Sequence, residues 1–138
     1  MDRQWWDIYY HDVNKTFDGQ MFSCNPIKYP NVTQLNRQFF KNFGNSGANA
    51  VSLAYHGGAK KIVMLGYDLQ KTDGKSHWHG DHVKGLGNAT RIDKWPDKFA
   101  KLADFVKDCK VVNVSKKTAL ECFPKASIFE ALWRCGRR

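Results

Sequence analysis

The densest group of chemically capable side chains lies between residues 77 and 82. It reads His77-Trp78-His79-Gly80-Asp81-His82, which places three imidazoles and one carboxylate within six residues. Imidazole titrates near neutral pH, so His77, His79 or His82 can serve as a general base or acid. The same nitrogens can also bind a metal ion. This composition predicts a functional loop.

The same string matches the zinc signature of metallo-β-lactamase-fold hydrolases, written here as His77-x-His79-x-Asp81-His82. In that fold the signature directly follows an apolar strand, whereas here the eleven residues Gly66–Ser76, mostly polar, separate the nearest apolar run from His77. No histidine follows His82, so histidine cannot complete a second metal shell. A zinc-dependent hydrolase therefore stands as an alternative, and the favoured interpretation assigns no metal ligand.

A second group of candidate residues lies at the start of a predicted helix. Gly44–Gly47 combines a turn with an N-cap signal just before the small and apolar residues Ala48–His56. Backbone N–H groups at a helix N-terminus attract phosphate, and glycine lets a ligand approach closely. An ordinary capped turn explains the same residues without a ligand. The ligand interpretation assigns nucleotide contacts to Asn45, Ser46 and Gly47.

A third group follows a predicted strand. Lys61–Leu65 is a β-branched, apolar run of strand length, and Gly66-Tyr67-Asp68 comes directly after it. The Asp68 carboxylate could contact a ribose hydroxyl, a base amine or a hydrated cation such as Mg²⁺. A turn-capping aspartate is the alternative. The ligand interpretation assigns Gly66 and Asp68 to nucleotide binding.

The surrounding elements predict how these groups meet. Residues 95–108 have the clearest helical period in the chain, and a second apolar strand, Val111–Val114, follows them. Two apolar strands joined by a helix predict a parallel βαβ unit. Such units bind ligands beyond the carboxyl ends of their strands, so Gly44–Gly47, residues 68–88 and residues 113–115 are expected on one rim. A last helical segment is predicted over residues 128–133.

We therefore predict an α/β fold, a Rossmann-like three-layer sandwich with a short, mostly parallel sheet that is shortened at the N-terminus. The 138 residues fit a single nucleotide-binding-like domain, with an aromatic segment over 1–43 and the βαβ core over 44–138. Residues 2–13 are rich in aromatic side chains and are predicted to form a short helix. A shortened sheet exposes an apolar edge. We expect a second copy in a homodimer to cover that edge, or else aromatic residues of the first segment: Trp5, Trp6, Tyr9 and the core-packing pair Phe39-Phe40.

The composition indicates a folded chain with anionic partners. Hydrophobic residues make up 42%, and no run approaches the ~18 apolar residues of a membrane span. No signal peptide is apparent, so we expect a cytoplasmic protein. The net charge of +9 favours nucleotides, phosphosugars or nucleic acid, but the lysines and arginines are scattered, which favours a solvated surface over a nucleic-acid groove. Four cysteines without a Cys-x-x-Cys pair indicate reduced thiols.

Residues 44–132 resemble a protein family often encoded in bacteriophage genomes and described as hypothetical or "norphogenetic". The resemblance rests on Gly44–Gly47, Gly58–Asp68, His77–His82 and Thr118–Pro124. That family is similar to the Rossmann-like nucleotide-binding region of bacterial sialyltransferases, which use a cytidine-nucleotide sugar, and to archaeal-type hydroxymethylpterin pyrophosphokinases. The resemblance implies a phage protein acting in the host cytoplasm.

The resemblance also implies roles for individual residues. Ser46-Gly47 corresponds to a Ser-Gly that touches the nucleotide in sialyltransferases, and Gly66-Tyr67-Asp68 to their Gly-x-Asp. A loop histidine of those enzymes is the general base, and His79 or His82 would be its counterpart. Relatives begin with a Gly-x-Gly-Pro-Ser-like turn that binds the nucleotide phosphates, and this chain has no such motif. The resemblance therefore allows three interpretations: a shortened form, a form that borrows a partner's surface, or a form that has lost catalysis.

These observations predict the nucleotide- or nucleotide-sugar-binding domain of a glycosyl or phosphoryl transferase-like protein, with glycosyl transfer favoured and a CMP-like ligand. A loop histidine would deprotonate the acceptor hydroxyl, while Gly44–Gly47 and lysines hold the leaving nucleotide. The alternative from another class is a non-catalytic basic module that contacts nucleic acid or a host protein.

Overall fold

The computed structural model describes residues 3–71, 73–75, 80–89 and 91–133, without the side chain of Trp133. These residues form a mixed α/β structure with two small parallel sheets and four α-helices. The chain divides into two compact units. The first contains residues 1–42 and 82–87, and the second contains residues 43–81 and 88–138. The single domain and the three-layer sandwich stay predictions, and each unit is described by itself.

The first unit begins with helix α1, Arg3–Thr16. Its buried face is a stripe of Trp6, Tyr10 and half-buried Val13, spaced as on one side of a helix. The sequence predicted Trp5, Trp6 and Tyr9 on the buried side of this helix; Trp6 is buried, Trp5 and Tyr9 are half-buried, and Tyr10 is the second buried residue. The helix extends three residues beyond the predicted segment 2–13.

Two short strands complete the first unit. Strand β1, Met21–Ser23, pairs in parallel with strand β2, Val32–Gln34. The Tyr10 ring stacks on Tyr29 with a centroid separation of 4.4 Å, and the Tyr10 hydroxyl donates to the Pro30 carbonyl at 2.9 Å. These contacts hold the connection between the strands against α1.

The pair Phe39-Phe40 behaves differently from the prediction. Phe40 is 6% exposed and packs inside, but Phe39 is 73% exposed, so the prediction that both rings pack on the core is wrong for Phe39. The N–H groups of both residues donate to the Asn36 carbonyl, at 3.1 and 2.8 Å. Adjacent side chains of such a tight turn point in different directions, and only one of them reaches the interior.

The second unit is built on strands β3, Lys61–Met64, and β4, Lys110–Asn113. They are parallel neighbours, with Lys61 opposite Lys110 and Met64 opposite Asn113. This confirms the parallel pair that the two apolar runs predicted. The chain returns once more beside β4, where Asn113 forms an isolated parallel bridge to Lys125.

Helices α2, Ser46–His56, and α3, Trp95–Phe105, share one hydrophobic core with the sheet. A 3₁₀ turn, Ile92–Lys94, leads into α3. The sequence predicted that α3 runs to residue 108. It ends at Phe105 because the chain already turns towards β4, where the Cys109 N–H donates to the Val106 carbonyl at 2.8 Å. The principal buried members of this core are Ala48, Val51, Met64, Phe99, Leu102, Val106, Val111, Leu120 and Phe123.

A smaller core lies on the other face of this sheet, around Val112 and Val114. Helix α4, Ile128–Trp133, packs its buried Ala131 with Val112 and Val114. Side chains alternate along a strand, so this group and the core of α2 and α3 lie on opposite faces of the sheet. The helix begins with a capping box, in which the Ser127 hydroxyl accepts from the Glu130 N–H at 3.1 Å and the Glu130 carboxylate accepts from the Ser127 N–H at 2.9 Å.

In the part of the chain that the structure describes, Cys24 and Cys109 are buried, Cys122 is exposed, and none of these three cysteines forms a disulfide. None of the described helices is long and apolar enough to cross a membrane.

Candidate functional site

The start of α2 has the geometry that its sequence predicted. Asn45 is the N-cap, and its side-chain oxygen accepts from the Ala48 N–H at 3.1 Å. The first helical hydrogen bond runs from the Asn49 N–H to the Asn45 carbonyl. The N–H groups of Ser46 and Gly47 precede it and have no carbonyl four residues back inside the helix. Ser46 is exposed, so solvent reaches this helix end.

Gly47 packs tightly against Tyr67. A Cβ atom at position 47 would lie 3.0 Å from Cε1 of the Tyr67 ring, tighter than nine in ten real Cβ contacts, so a larger residue would make the ring shift. The Tyr67 hydroxyl donates to the Gly47 carbonyl at 3.1 Å, and its ring packs edge-on against Phe99. Tyr67, which directly follows Gly66, thus holds the start of α2 against the end of β3.

A lysine lies beside the same helix start. The ammonium of Lys98, on α3, donates to the Gly44 carbonyl. Gly44 has φ +65°, a left-handed conformation that glycine adopts without strain. Sequence reasoning did not single out Lys98, because nothing in its local pattern distinguishes it from the other helix-surface lysines.

Gly66 marks the end of β3 at the same edge of the sheet. It has φ +75°, and a Cβ atom placed there meets no atom within 4 Å. The backbone N–H of Tyr67, the next residue, donates to the Ser115 hydroxyl at 2.7 Å. Asp68 is half-buried, and its carbonyl accepts from the Ala119 N–H at 2.8 Å. The turn after β3 is therefore tied to the segment that follows β4.

Asn113 is the buried polar centre of these turns. Its side chain is fully buried at 0% exposure, and its amide nitrogen lies 3.3 Å from the Tyr67 carbonyl and 3.2 Å from the Thr118 hydroxyl. Its amide oxygen accepts from the Ser115 N–H at 3.0 Å. The Thr118 hydroxyl also donates to the Tyr67 carbonyl at 2.7 Å. The sequence predicted residue 113 on the rim. A polar asparagine within an apolar strand was the sequence feature that could have indicated its buried, hydrogen-bonded role.

These contacts define the rim, the edge of the second unit formed by Gly44–Gly47, Gly66–Asp68 and Asn113–Ser115. The sequence predicted that Gly44–Gly47, residues 68–88 and residues 113–115 converge beyond the carboxyl ends of β3 and β4. The contacts of Tyr67 and Asn113 confirm this for the first segment, the last segment and the turn that leads into residues 68–88. Five predicted nucleotide-binding residues lie within these segments, namely Asn45, Ser46, Gly47, Gly66 and Asp68.

The described residues do not test whether the predicted histidines face this rim. His77 and His79 lie outside them. Asp81 is exposed, and His82 is half-buried and belongs to the first unit. Within the described ranges, no three His, Cys, Asp or Glu side chains are grouped so that they could hold a metal ion. A histidine facing the rim stays a prediction.

The Tyr67 hydroxyl offers a spectroscopic test of the rim. Burial raises the pKa of Tyr67 above its usual value of 10.0, because the phenolate would be desolvated beside α2. A raised folded-state pKa leaves stability unchanged below the unfolded pKa and lowers it as pH rises through the folded pKa. We expect Tyr67→Phe to remove one late-titrating phenol from an absorbance titration and to reduce the alkaline loss of stability. Loss of a phenol that titrates at the ordinary pKa would contradict the buried contact.

Comparison of the chain with protein-family models, with curated proteins and with solved structures finds no match. The resemblances to phage proteins, sialyltransferases and pyrophosphokinases therefore stay predictions from the residues that suggested them.

Proposed function

We propose that the second unit binds a nucleotide or nucleotide sugar at the rim. The observation that supports this proposal best is the Tyr67 contact with Gly47, which fixes an exposed helix start beside the carboxyl ends of two parallel strands. Ligands of parallel α/β sheets bind at that edge, and a helix start attracts phosphate through its N–H groups and its dipole.

The arrangement of charge is consistent with an anionic ligand. The N–H groups of Ser46 and Gly47 are the first two of α2, where the partial positive charge of the helix is greatest. The Lys98 ammonium lies next to them at the Gly44 carbonyl. In this proposal a phosphate contacts Ser46 and Gly47, and Asp68 contacts the ribose or holds Mg²⁺.

A negative charge at position 46 tests this assignment. Ser46→Glu places a carboxylate in the first turn of α2, where acidic residues stabilise a helix by roughly 0.3–1 kcal/mol. The same carboxylate repels phosphate. We expect Ser46→Glu to keep or raise the melting temperature while weakening CMP binding by about tenfold or more in calorimetry, since ~1.4 kcal/mol is a factor of ten.

The matched control is Ala54→Glu, an exposed position two turns further along the same helix, about 12 Å from Ser46. It adds an equal charge, and its effect on CMP affinity should stay within about twofold because exposed charges are screened over ~8–10 Å. Equal losses in both variants would mean that the net charge, and not the helix start, decides the affinity.

The chemistry we propose is glycosyl transfer from a nucleotide sugar, the reaction that the resemblance to sialyltransferases implies. His79 or His82 would remove the proton of the acceptor hydroxyl, which needs only hydrogen-bond contact of ~2.6–3.2 Å and no metal. The rim residues would hold the nucleotide as it leaves with its negative charge.

A second candidate function is a non-catalytic basic binding module. Two observations favour it: the net charge of +9, and the fact that packing against Tyr67 already explains Gly47 without a ligand. Titration with a double-stranded oligonucleotide separates the two functions. A basic module would bind it with a steep salt dependence that Ser46→Glu alters only slightly.

A further inference from the structure

The outward side of α4 is apolar although it faces solvent. Ile128, Phe129 and Leu132 are 51%, 63% and 60% exposed, and positions 128, 129 and 132 are neighbours on one side of a helix. The helix contacts the sheet through the small residue Ala131. Grouped large apolar side chains on a surface mark sites of interaction with other molecules.

A cavity of about 260 Å³ adjoins this helix. Val112, Ala126 and Ala131 give it apolar walls, and Lys61 and Lys110 also line it. Val112 and residues 124–126 also line it, so the cavity lies along β4 on the face of the sheet that α4 covers. The cavity and the rim share no residue.

Among the described residues that line this cavity, the lysines Lys61, Lys110 and Lys125 outnumber the one carboxylate, Glu130. Lys61 and Lys110 are direct partners in the parallel ladder, and like charges side by side on neighbouring strands are destabilising. The Lys61 ammonium donates to the Ala131 carbonyl, which holds it against α4. The Glu130 carboxylate also accepts from the N–H and hydroxyl of Ser127, both at 2.9 Å, in the helix cap. An external carboxylate would balance the remaining excess of lysine charge.

We propose that the outward side of α4 and this cavity form a docking surface for an acidic amphipathic helix of a partner protein. The apolar face of that helix covers Phe129 and its neighbours, and its carboxylates reach Lys61 and Lys110. The net charge of +9 opposes the association of two copies of this chain and favours an acidic partner. The surface is separate from the rim, so this inference does not depend on the proposed nucleotide binding.

The probe is a synthetic helical peptide of ~18 residues, with leucine along one face and glutamate along the other. We expect it to bind the full chain with one-to-one stoichiometry in fluorescence anisotropy, and about tenfold more weakly in ~0.5 M than in ~0.05 M salt. Phe129→Ser and Lys110→Glu should each weaken binding by about tenfold or more. Both side chains are exposed, so urea unfolding midpoints should not move; Leu132→Ser replaces any variant that fails to fold.

The matched controls are Phe39→Ser, an exposed phenylalanine of the first unit, and Lys101→Glu, an exposed lysine of α3. Each should change peptide affinity by less than about twofold. Absence of peptide binding, or an equal loss in the controls, would overturn the proposal. Two other results would overturn it in favour of a different occupant: a dimer in sedimentation that Phe129→Ser dissociates, or binding only to phosphatidylserine vesicles that the same variant abolishes.

Discussion

Replacing Asn113 by leucine is expected to lower the free energy of unfolding by about 2–4 kcal/mol. The substitution keeps the number and branching of the side-chain heavy atoms. It removes three hydrogen bonds at a fully buried site. The Ser115 N–H then loses its acceptor, and a buried donor without a partner costs about 1–3 kcal/mol. Urea denaturation followed by circular dichroism measures the change.

Two variants accompany this measurement. Thr118→Val removes one donor to the Tyr67 carbonyl and the acceptor of both the Asn113 amide and the Leu120 N–H, and should cost about 1–3 kcal/mol. Asn14→Ala removes an exposed amide on α1 and should stay within about 0.5 kcal/mol. If the leucine variant were as stable as the parent chain, Asn113 would not be what holds the two turns together.

The double variant His79→Ala, His82→Ala is expected to lose transfer activity by about 10²–10⁴-fold, the usual contribution of a general base. The measurement is release of CMP from a CMP-activated sugar in the presence of an acceptor. CMP affinity should change by less than about threefold, because the rim and not the histidines holds the nucleotide in our proposal. His11→Ala, an exposed histidine on α1, is the matched control.

Elemental analysis of the same preparations separates general-base catalysis from the zinc alternative. We expect no stoichiometric zinc in the parent chain. Stoichiometric zinc that His77→Ala removes would contradict the general-base mechanism and support the hydrolase, whose ligands should lie ~2.0–2.1 Å from one ion. Full activity in the double variant would contradict both mechanisms.

Local sequence signals predicted the second unit well because its elements depend on local chemistry. The Asn45 cap, the apolar run from Lys61 and the helical period after Trp95 each specify an element through hydrogen bonding or hydrophobic spacing. Parallel pairing then followed from strand–helix–strand order, and it fixed the rim without any knowledge of tertiary contacts.

Other features depend on contacts between distant residues, which a local pattern does not contain. Phe39 and Phe40 have the same side chain, and only the turn at Asn36 decides which one is buried. The contact between Tyr67 and Gly47 joins residues twenty positions apart, and that between Lys98 and Gly44 joins residues fifty-four apart. Gly44 and Gly47 were thus predicted to contact a ligand. The backbone conformation at Gly44 and the packing of Gly47 against Tyr67 also favour glycine at these positions.

The central claim is that a nucleotide binds at the rim, and a ¹H–¹⁵N correlation spectrum titrated with CMP tests it most directly. We predict saturable shifts in the backbone N–H signals of Ser46, Gly47, Gly66 and Asp68. The signals of Lys61 and Lys110, the first residues of β3 and β4, should shift much less. Ser46→Glu should remove the shifts while leaving the rest of the spectrum in place. Saturable shifts centred on Lys61 and Lys110, or no shifts at millimolar CMP, would contradict nucleotide binding at the rim.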